Sequence, residues 1–295
     1  MIIDNYVDCE VGQTHTLWGL FDCHVDNRYS DVKLLKEDIQ KIIDDPLARC
    51  VIGGDFNDMI FFGDPRFQSA NLSKFLVDWH RGDDDNENAN NLAKAVKEYN
   101  MSILQPLAEA GKIDAYLAGN HEINFEKRHI FNAAEDTADL LNGVQMAKHN
   151  KPVPYVGYEC GMRYYFKRGI SVKMIPGWVH HGWGGAPVVS GGAIQLYRAK
   201  GERHVQFGMF GHIHSKIFRT FAPLKIQGGF GKGKWMESPT VMAVCGTYLK
   251  NVPDHRNSTY AQMKGLSAAP LGAGRIYFDV KREDVGGLKV TPRIN

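Results

Sequence analysis

The residues in this chain best equipped for chemistry are five short clusters of His, Asp and Asn, each following an apolar run: Asp22-Cys23-His24, Gly54-Asp55-Phe56-Asn57-Asp58, Gly119-Asn120-His121-Glu122, His180-His181-Gly182 and Gly211-His212-Ile213-His214. Carboxylate, imidazole and amide oxygen are ligands of hard and borderline divalent cations, and an imidazole can also move a proton. On an extended segment, a spacing of two puts Asp22 and His24 on one side of the chain, and likewise His212 and His214. The adjacent His180 and His181 would point to opposite sides, so only one of them can join a shared site. Taken singly, each cluster also reads as a surface pair, a helix cap or a structural histidine. Recurrence at five successive run ends points instead to one metal centre built from all of them.

Periodicity predicts the elements that must position these clusters. Residues 16–21 form a first strand, and Ser30 caps a helix over 31–45 whose Leu35, Ile39 and Ile42 share a face. Residues 49–54 form the second strand. Leu92, Val96, Tyr99 and Ile103 share a helical face, Pro106 should kink or end that helix, and 113–117 form the third strand. Residues 125–141 read as a further helix. Strands are expected at 171–175, 205–210, 216–221, 241–244 and 275–280, so the part after 214 is strand-rich. Two segments read as irregular: 61–91, an inserted surface loop carrying a short helix, and the Gly-rich 177–192. Strands alternating with helices indicate an α/β (α+β) fold, here as one domain over 1–295, and ligands of open α/β sheets bind outside the carboxyl ends of the strands.

Composition excludes several classes. With 295 residues and 43% hydrophobic content the chain can build a large core, and 35 Lys and Arg against 33 Asp and Glu leave a charge of only +2, too balanced to signal nucleic-acid binding by itself. Five cysteines, Cys9, Cys23, Cys50, Cys160 and Cys245, are odd in number and include no C-x-x-C pair, which argues against a disulfide framework or a thiolate zinc site. Without a basic-then-apolar leader or a long apolar stretch, the expectation is a cytoplasmic protein with no membrane contact.

The motifs Asp22-x-His24, Gly54-Asp55-x-x-Asp58, Gly119-Asn120-His121-Glu122, His181-Gly182 and Gly211-His212-x-His214, in this order over residues 22–214, resemble those of the calcineurin-like metallophosphoesterases. The resemblance implies a four-layer β-sandwich flanked by helices, with a dinuclear metal site at the carboxyl ends of the strands. It implies that Asp22, His24 and His214 bind one metal, that Asn120, His181 and His212 bind the other, and that Asp55 bridges them. His121 becomes the general acid, and Asp58 supports the ligands from behind. The pattern of His followed by Gly selects His181, leaving His180 to packing or support. The implied cofactors are two divalent ions, Mn²⁺ foremost, with Fe, Zn²⁺, Co²⁺ or Ni²⁺ also compatible.

The implied reaction is hydrolysis of a phosphodiester, of a nucleotide or nucleic acid, by in-line attack of a metal-bridging hydroxide. A phosphomonoesterase on a small metabolite and an inactive binding scaffold of the same fold are the alternatives. Met59-Ile60 after Asp58, and Ala118 before Gly119, depart from the Arg-containing motifs of protein Ser/Thr phosphatases. The stretch after His214 is shorter than the capping region of the double-strand-break repair nucleases. The chain thus looks most like the small stand-alone phosphoesterases of bacteria and phages. Arg66, Trp183 and Lys232 are candidate substrate contacts, since cations suit phosphate and aromatic rings can stack on bases. The competing reading, which the residue types favour, is that the aromatic residues of 61–79 are the small core of a long loop and that 228–234 is a solvated turn.

Overall fold

A computed structural model of the chain describes every residue except 62–63, 78–84, 130, 185–190, 228–232, 251–269, 284–286 and 295. Strands β1 (Ile2–Asp8) and β2 (Thr14–Leu20) precede helix α1 (Val32–Asp44) and strand β3 (Ala48–Gly53). The short α2 (Lys74–Val77) and the long α3 (Asp85–Glu109) lead to β4 (Ile113–Leu117), after which come α4 (Asn120–His129) and α5 (Ala133–His149). Next are β5 (Glu159–Arg168), β6 (Ser171–His180), α6 (Gly191–Glu202) and β7 (Phe207–Phe210). The described remainder is strands: β8 (Lys216–Phe221), β9 (Leu224–Gln227), β10 (Lys234–Glu237), β11 (Thr240–Cys245), β12 (Gly274–Arg282) and β13 (Leu288–Arg293).

These strands form a six-stranded sheet, β1-β5-β6-β7-β11-β8, a five-stranded sheet, β13-β12-β2-β3-β4, and a small β9-β10 ribbon. Strands β2, β3 and β4 run parallel in one sheet, and β6, β7 and β11 run parallel in the other. The two large sheets pack face to face. Strand alternation explains why: in β2, Leu17 joins the buried cluster between the sheets while Trp18 and Leu20 join the cluster on the opposite face. Phe278 of β12 lies at the centre of the inter-sheet core, with its ring centroid 5.6 Å from Tyr164, 5.4 Å from Phe166 and 5.3 Å from Phe207. Leu35, Ile39 and Ile42 of α1, with residues of α3 and α5, cover the outer face of the five-stranded sheet. Leu196 and Ala199 of α6 pack on Trp178, Phe210, Met242 and Val244 of the six-stranded sheet. The order is therefore helices, sheet, sheet, helix. At the edge strand β4, the buried Gln145 accepts from Ile113 N at 3.1 Å and donates to Ile113 O at 2.8 Å, satisfying backbone groups that a bare edge would leave unpaired.

Several sequence expectations change. The N-terminal β1 was not anticipated, because its alternation buries only Asn5 and Val7 and carries no apolar signature. The helix expected over 125–141 is two helices, since the Asn132 side chain accepts from Glu135 N at 3.0 Å and caps a new start. Asp31, not Ser30, caps α1, by accepting from Leu34 N at 3.1 Å, while the Ser30 hydroxyl donates to Cys23 O. Pro106 does not stop α3, which continues to Glu109. Strand β6 extends through Gly177 to His180, and α6 begins at Gly191, so both ends of the segment expected to be irregular are regular. Likewise the expected 61–91 loop ends at Asp85, where α3 starts. Among the described residues no helix is long and apolar enough to cross a membrane.

A Cβ at Gly177 would lie 1.9 Å from the Phe207 ring, inside the inter-sheet core. We expect Gly177→Ala to destabilise the protein by about 1–3 kcal/mol in urea unfolding, and Gly177→Ala with Phe207→Leu to lose less than the sum of the two single changes. Strictly additive losses would contradict this contact.

Candidate metal centre

The carboxyl ends of β2, β3, β4, β6 and β7 meet at one edge of the sandwich, and the five clusters lie there, on the loops that follow, at His180 closing β6 and at Asn120 opening α4. At Asp22 and His24, and at His212 and His214, the backbone is not extended, contrary to what the two-residue spacings imply. Asp22, His24, Asp55, His212 and His214 all have positive φ, at 49°, 46°, 47°, 71° and 52°. Side chains in this left-handed region cost about 1–3 kcal/mol each and persist only where surrounding contacts fix them. Those contacts are present: Asp22 N donates to Gly54 O and His24 N to Asp55 O, both at 3.1 Å, while Thr247 Oγ1 and Tyr248 N both donate to Asp22 O. Gly119 is required by close approach, because a Cβ there would lie 2.1 Å from Asp55 Oδ1.

The side chains gather into two groups. In the first, His24 Nε2 lies 3.2 Å from His214 Nε2, and His214 Nε2 lies 3.4 Å from Asp22 Oδ1. In the second, Asn120 Oδ1 lies 3.1 Å from His181 Nε2 and 2.6 Å from His212 Nδ1, and Asp55 Oδ2 lies 3.2 Å from His181 Nε2. His212 and His214 thus go to different groups instead of sharing a face. His180 points away: its Nδ1 accepts from Gly182 N at 2.7 Å, and its ring packs on Tyr158, Trp178 and Trp183. Burial pushes His180 down to about 4. Cys23 turns its thiol into the core, where burial raises it well above its ordinary value.

Hydrogen bonds at the far nitrogens fix which way the lone pairs face. His181 Nδ1 meets the Gly53 carbonyl at 3.0 Å and His212 Nε2 meets the Gly184 carbonyl at 2.7 Å, so in the neutral rings those nitrogens carry the protons. His24 Nδ1 meets Asp58 Oδ1 at 3.1 Å in the same way. The other nitrogens are then acceptors, and they confront further acceptors: His181 Nε2 faces Asp55 Oδ2 and Asn120 Oδ1, and His212 Nδ1 faces Asn120 Oδ1. In the first group Asp22 Oδ1 is buried and receives no hydrogen bond among the described residues. Such convergence of acceptors is compatible with bound divalent cations, or with a proton where none is bound. His181 shows the proton alternative: burial lowers it, but the Asp55 charge outweighs burial and raises it to about 9. Burial would raise Asp55, yet His181 and His121 hold its carboxyl well below the carboxylate range. His212 is lowered, by burial and then by His181.

His121 stands beside both groups. Its backbone N donates to Asp55 Oδ1 at 2.9 Å, and its Nδ1 lies 2.5 Å from Asp58 O and 3.3 Å from Asp58 Oδ1. Burial opposes protonation, but Asp55 and Asp58 prevail and raise its pKa. Asp58 also receives Asn27 Nδ2 at 2.9 Å. Arg66 is held on Asp64 and lines a cleft that Asp58 also lines. Trp183 packs against His180, with ring centroids 4.9 Å apart, and against Trp178 and Phe210. Lys232 lies outside the described residues, as do Trp79, His80 and Arg81.

Three supporting residues had no role in the sequence-based account. Glu122, 3% exposed, accepts through Oε2 from Asp55 N at 3.0 Å and Gly119 N at 2.8 Å, and through Oε1 from Asn57 N at 3.0 Å. Its bond back to Gly119, three residues earlier at the start of α4, is half of a capping box and was readable as such. Burial and then the Asp55 charge raise its pKa. Asp26 accepts from the backbone N–H groups of Asp58 and Met59, and Asn100 exchanges amide hydrogen bonds with Asn57 at 2.7 and 2.9 Å. Nothing local announces either pairing.

No family model matches the chain. No curated protein matches it. Among solved structures it is similar to a conserved uncharacterized protein from Streptococcus pneumoniae, described as a predicted phosphoesterase, with 10% sequence identity over 95% of this chain and 99% of that one and a TM-score of 0.30. A likeness that low carries no weight for the chemistry, which rests on the geometry above.

Glu122→Gln keeps the shape but replaces one accepting oxygen with an NH₂ that faces a buried N–H. We expect a loss of about 1–3 kcal/mol in urea unfolding of metal-free protein. An unchanged midpoint would show that the three bonds do not hold these loops.

Proposed function

We propose that this site binds two divalent cations and hydrolyses a phosphodiester of a nucleotide or nucleic acid. The observation that carries the proposal is the convergence of acceptors in both groups, with Asp22 Oδ1 buried and without a hydrogen bond among the described residues and imidazole lone pairs turned towards carboxylate and amide oxygens. Asp22, His24 and His214 would hold one ion; Asn120, His181 and His212 would hold the other, with Asp55 shared. When bound, such ions screen phosphate charge and lower the pKa of water, which is the chemistry a phosphoester requires. This donor set contains no thiolate and suits Mn²⁺, Fe, Zn²⁺, Co²⁺ or Ni²⁺, of which Mn²⁺ is our choice.

The protein's own groups have definite tasks in this scheme. Asp58 accepts a hydrogen bond from the His24 Nδ1–H and so keeps Nε2 available as a ligand atom. Asp58 also anchors His121 through Nδ1, which leaves Nε2 to hand a proton to the departing alkoxide. Asp55 and Asp58 raise the pKa of His121 against the opposing effect of burial, which favours the protonated ring that a general acid requires. Glu122 keeps the Asp55 and Asn120 loops in register.

Three outcomes follow. His121→Ala should lower kcat by about 10²–10⁴ while the metal content stays at the wild-type level, because the residue donates a proton and is not a ligand. Equal loss of metal would move it into the ligand set. In Mn²⁺, hydrolysis of bis-p-nitrophenyl phosphate should exceed that of p-nitrophenyl phosphate, with Asp55→Ala inactive as the contamination control. Preference for the monoester would replace the diesterase reading, and less than one ion per chain with no activity would leave a binding scaffold. Since metal-free His181 holds its proton up to about pH 9, a cation must displace it, so apparent affinity should rise with pH towards 9 and calorimetry in two buffers should show proton release. Affinity that does not change with pH would contradict the His181 assignment.

A further inference from the structure

Strand β8 is an edge of the six-stranded sheet, and α6 packs on the outer face of that sheet. Where the two elements meet, aromatic rings alternate with cations. Tyr197 of α6 is 51% exposed, and its ring meets Phe221 of β8 edge-on with centroids 5.1 Å apart. Arg219 Cζ lies 5.5 Å from the Tyr197 centroid, and Lys200 Nζ lies 5.8 Å from the Phe221 centroid. Such ring contacts orient a cation without neutralising it. Lys234, which is exposed, extends the same face. The β8–β11 register runs on into the β9–β10 ribbon, from Phe221 opposite Thr240, through the bond from Ser238 N to Pro223 O, to Leu224 opposite Glu237. Alternation along that ladder puts Lys234 on the side of Phe221. Among the described residues, none of Lys200, Arg219 and Lys234 has a carboxylate partner.

The course of the chain relates this face to the metal centre. Strand β8 starts two residues after His214 and runs antiparallel to β11, which is parallel to β7, so it leads away from the edge where the ligand clusters lie. Arg219 is five residues beyond His214, at most about 18 Å along an extended chain. Three cations without acidic partners are complementary to a polyanion, and the rings add a contact for flat groups. A nucleic-acid strand supplies both, phosphates for the cations and bases for the rings. An acidic peptide supplies only the charge.

We propose that Tyr197 and Phe221, with Lys200, Arg219 and Lys234, form a track that holds a single-stranded nucleic acid leading to the metal centre. The track names a strand as the substrate class, and in that respect it rests on the phosphodiesterase reading of the site.

Binding is measured by anisotropy of a fluorescein-labelled oligothymidylate of about 12 nucleotides in EDTA, so that neither hydrolysis nor bound metal contributes. Tyr197→Ala should weaken binding by roughly tenfold with the salt slope unchanged, and Tyr197→Phe should bind as wild type does, because the ring is kept. Arg219→Ala and Lys234→Ala should each weaken binding and reduce the slope of log K against log salt by about 0.7. All four variants should hydrolyse bis-p-nitrophenyl phosphate in Mn²⁺ at the wild-type rate, since that ester reaches only the metal centre. If wild type binds the strand but hydrolyses neither it nor the small diester, the phosphodiesterase reading fails and the track stands. The track is overturned if wild type does not bind, or if Tyr197→Ala or both cation variants bind as wild type does. It is also overturned if polyglutamate of equal charge displaces the strand as well as unlabelled oligothymidylate does. Circular-dichroism melting checks the folding of each variant. A Tyr197→Ala protein that melts early passes the decision to Arg219→Ala and Lys234→Ala, whose side chains are exposed.

Discussion

One buried carboxylate ties together the loops on which this site is built. Glu122 collects backbone N–H groups from Asp55, Asn57 and Gly119, which belong to the ends of two neighbouring parallel strands. Donors so placed have no water to turn to, so each is satisfied by Glu122 or left unpaired at a cost of about 1–3 kcal/mol. The orientation of Asp55 follows from this, and so does the start of α4, which presents Asn120 and His121. Parallel strands make the arrangement possible, because they deliver their carboxyl ends to the same edge.

Electrostatics at the edge is unbalanced in the protein alone. Acceptors face acceptors in the Asp55, Asn120, His181 and His212 group, and Asp22 Oδ1 is buried without a hydrogen bond among the described residues. The protein offsets part of this with a proton on His181, raised to about 9 by Asp55 in spite of burial. Five positive-φ residues at these loops show the same economy in the backbone, since strain is tolerated where many contacts hold it. Stored strain and unsatisfied acceptors in one place are what a site prepared for cations would contain.

The clusters were legible in the sequence because each is a short local motif after an apolar run. His181 could be separated from His180 by strand alternation, once the following glycine was used to choose between them. What escaped was non-local or backbone-encoded. Asp26 reaches Asp58, and Asn100 reaches Asn57, across intervening elements that no spacing reveals. The left-handed conformations of Asp22 and His24 replaced an expected extended segment, because Asp and His tolerate that region and leave no trace as a glycine would. Strand β1 lacks an apolar alternation, and the break between α4 and α5 depends on a single capping side chain, Asn132. Neither the aromatic cluster that Trp183 joins nor the cleft that Arg66 shares with Asp58 is announced by spacing.

The central claim is that two cations occupy these acceptor groups. Anomalous-difference density from crystals of the protein grown with Mn²⁺ tests it most directly. The account predicts two peaks, one among Asp22, His24 and His214 and one among Asn120, His181 and His212, with the Asp55 carboxylate reaching both. A map with no peak at either group, or with ions bound only elsewhere on the surface, would contradict it.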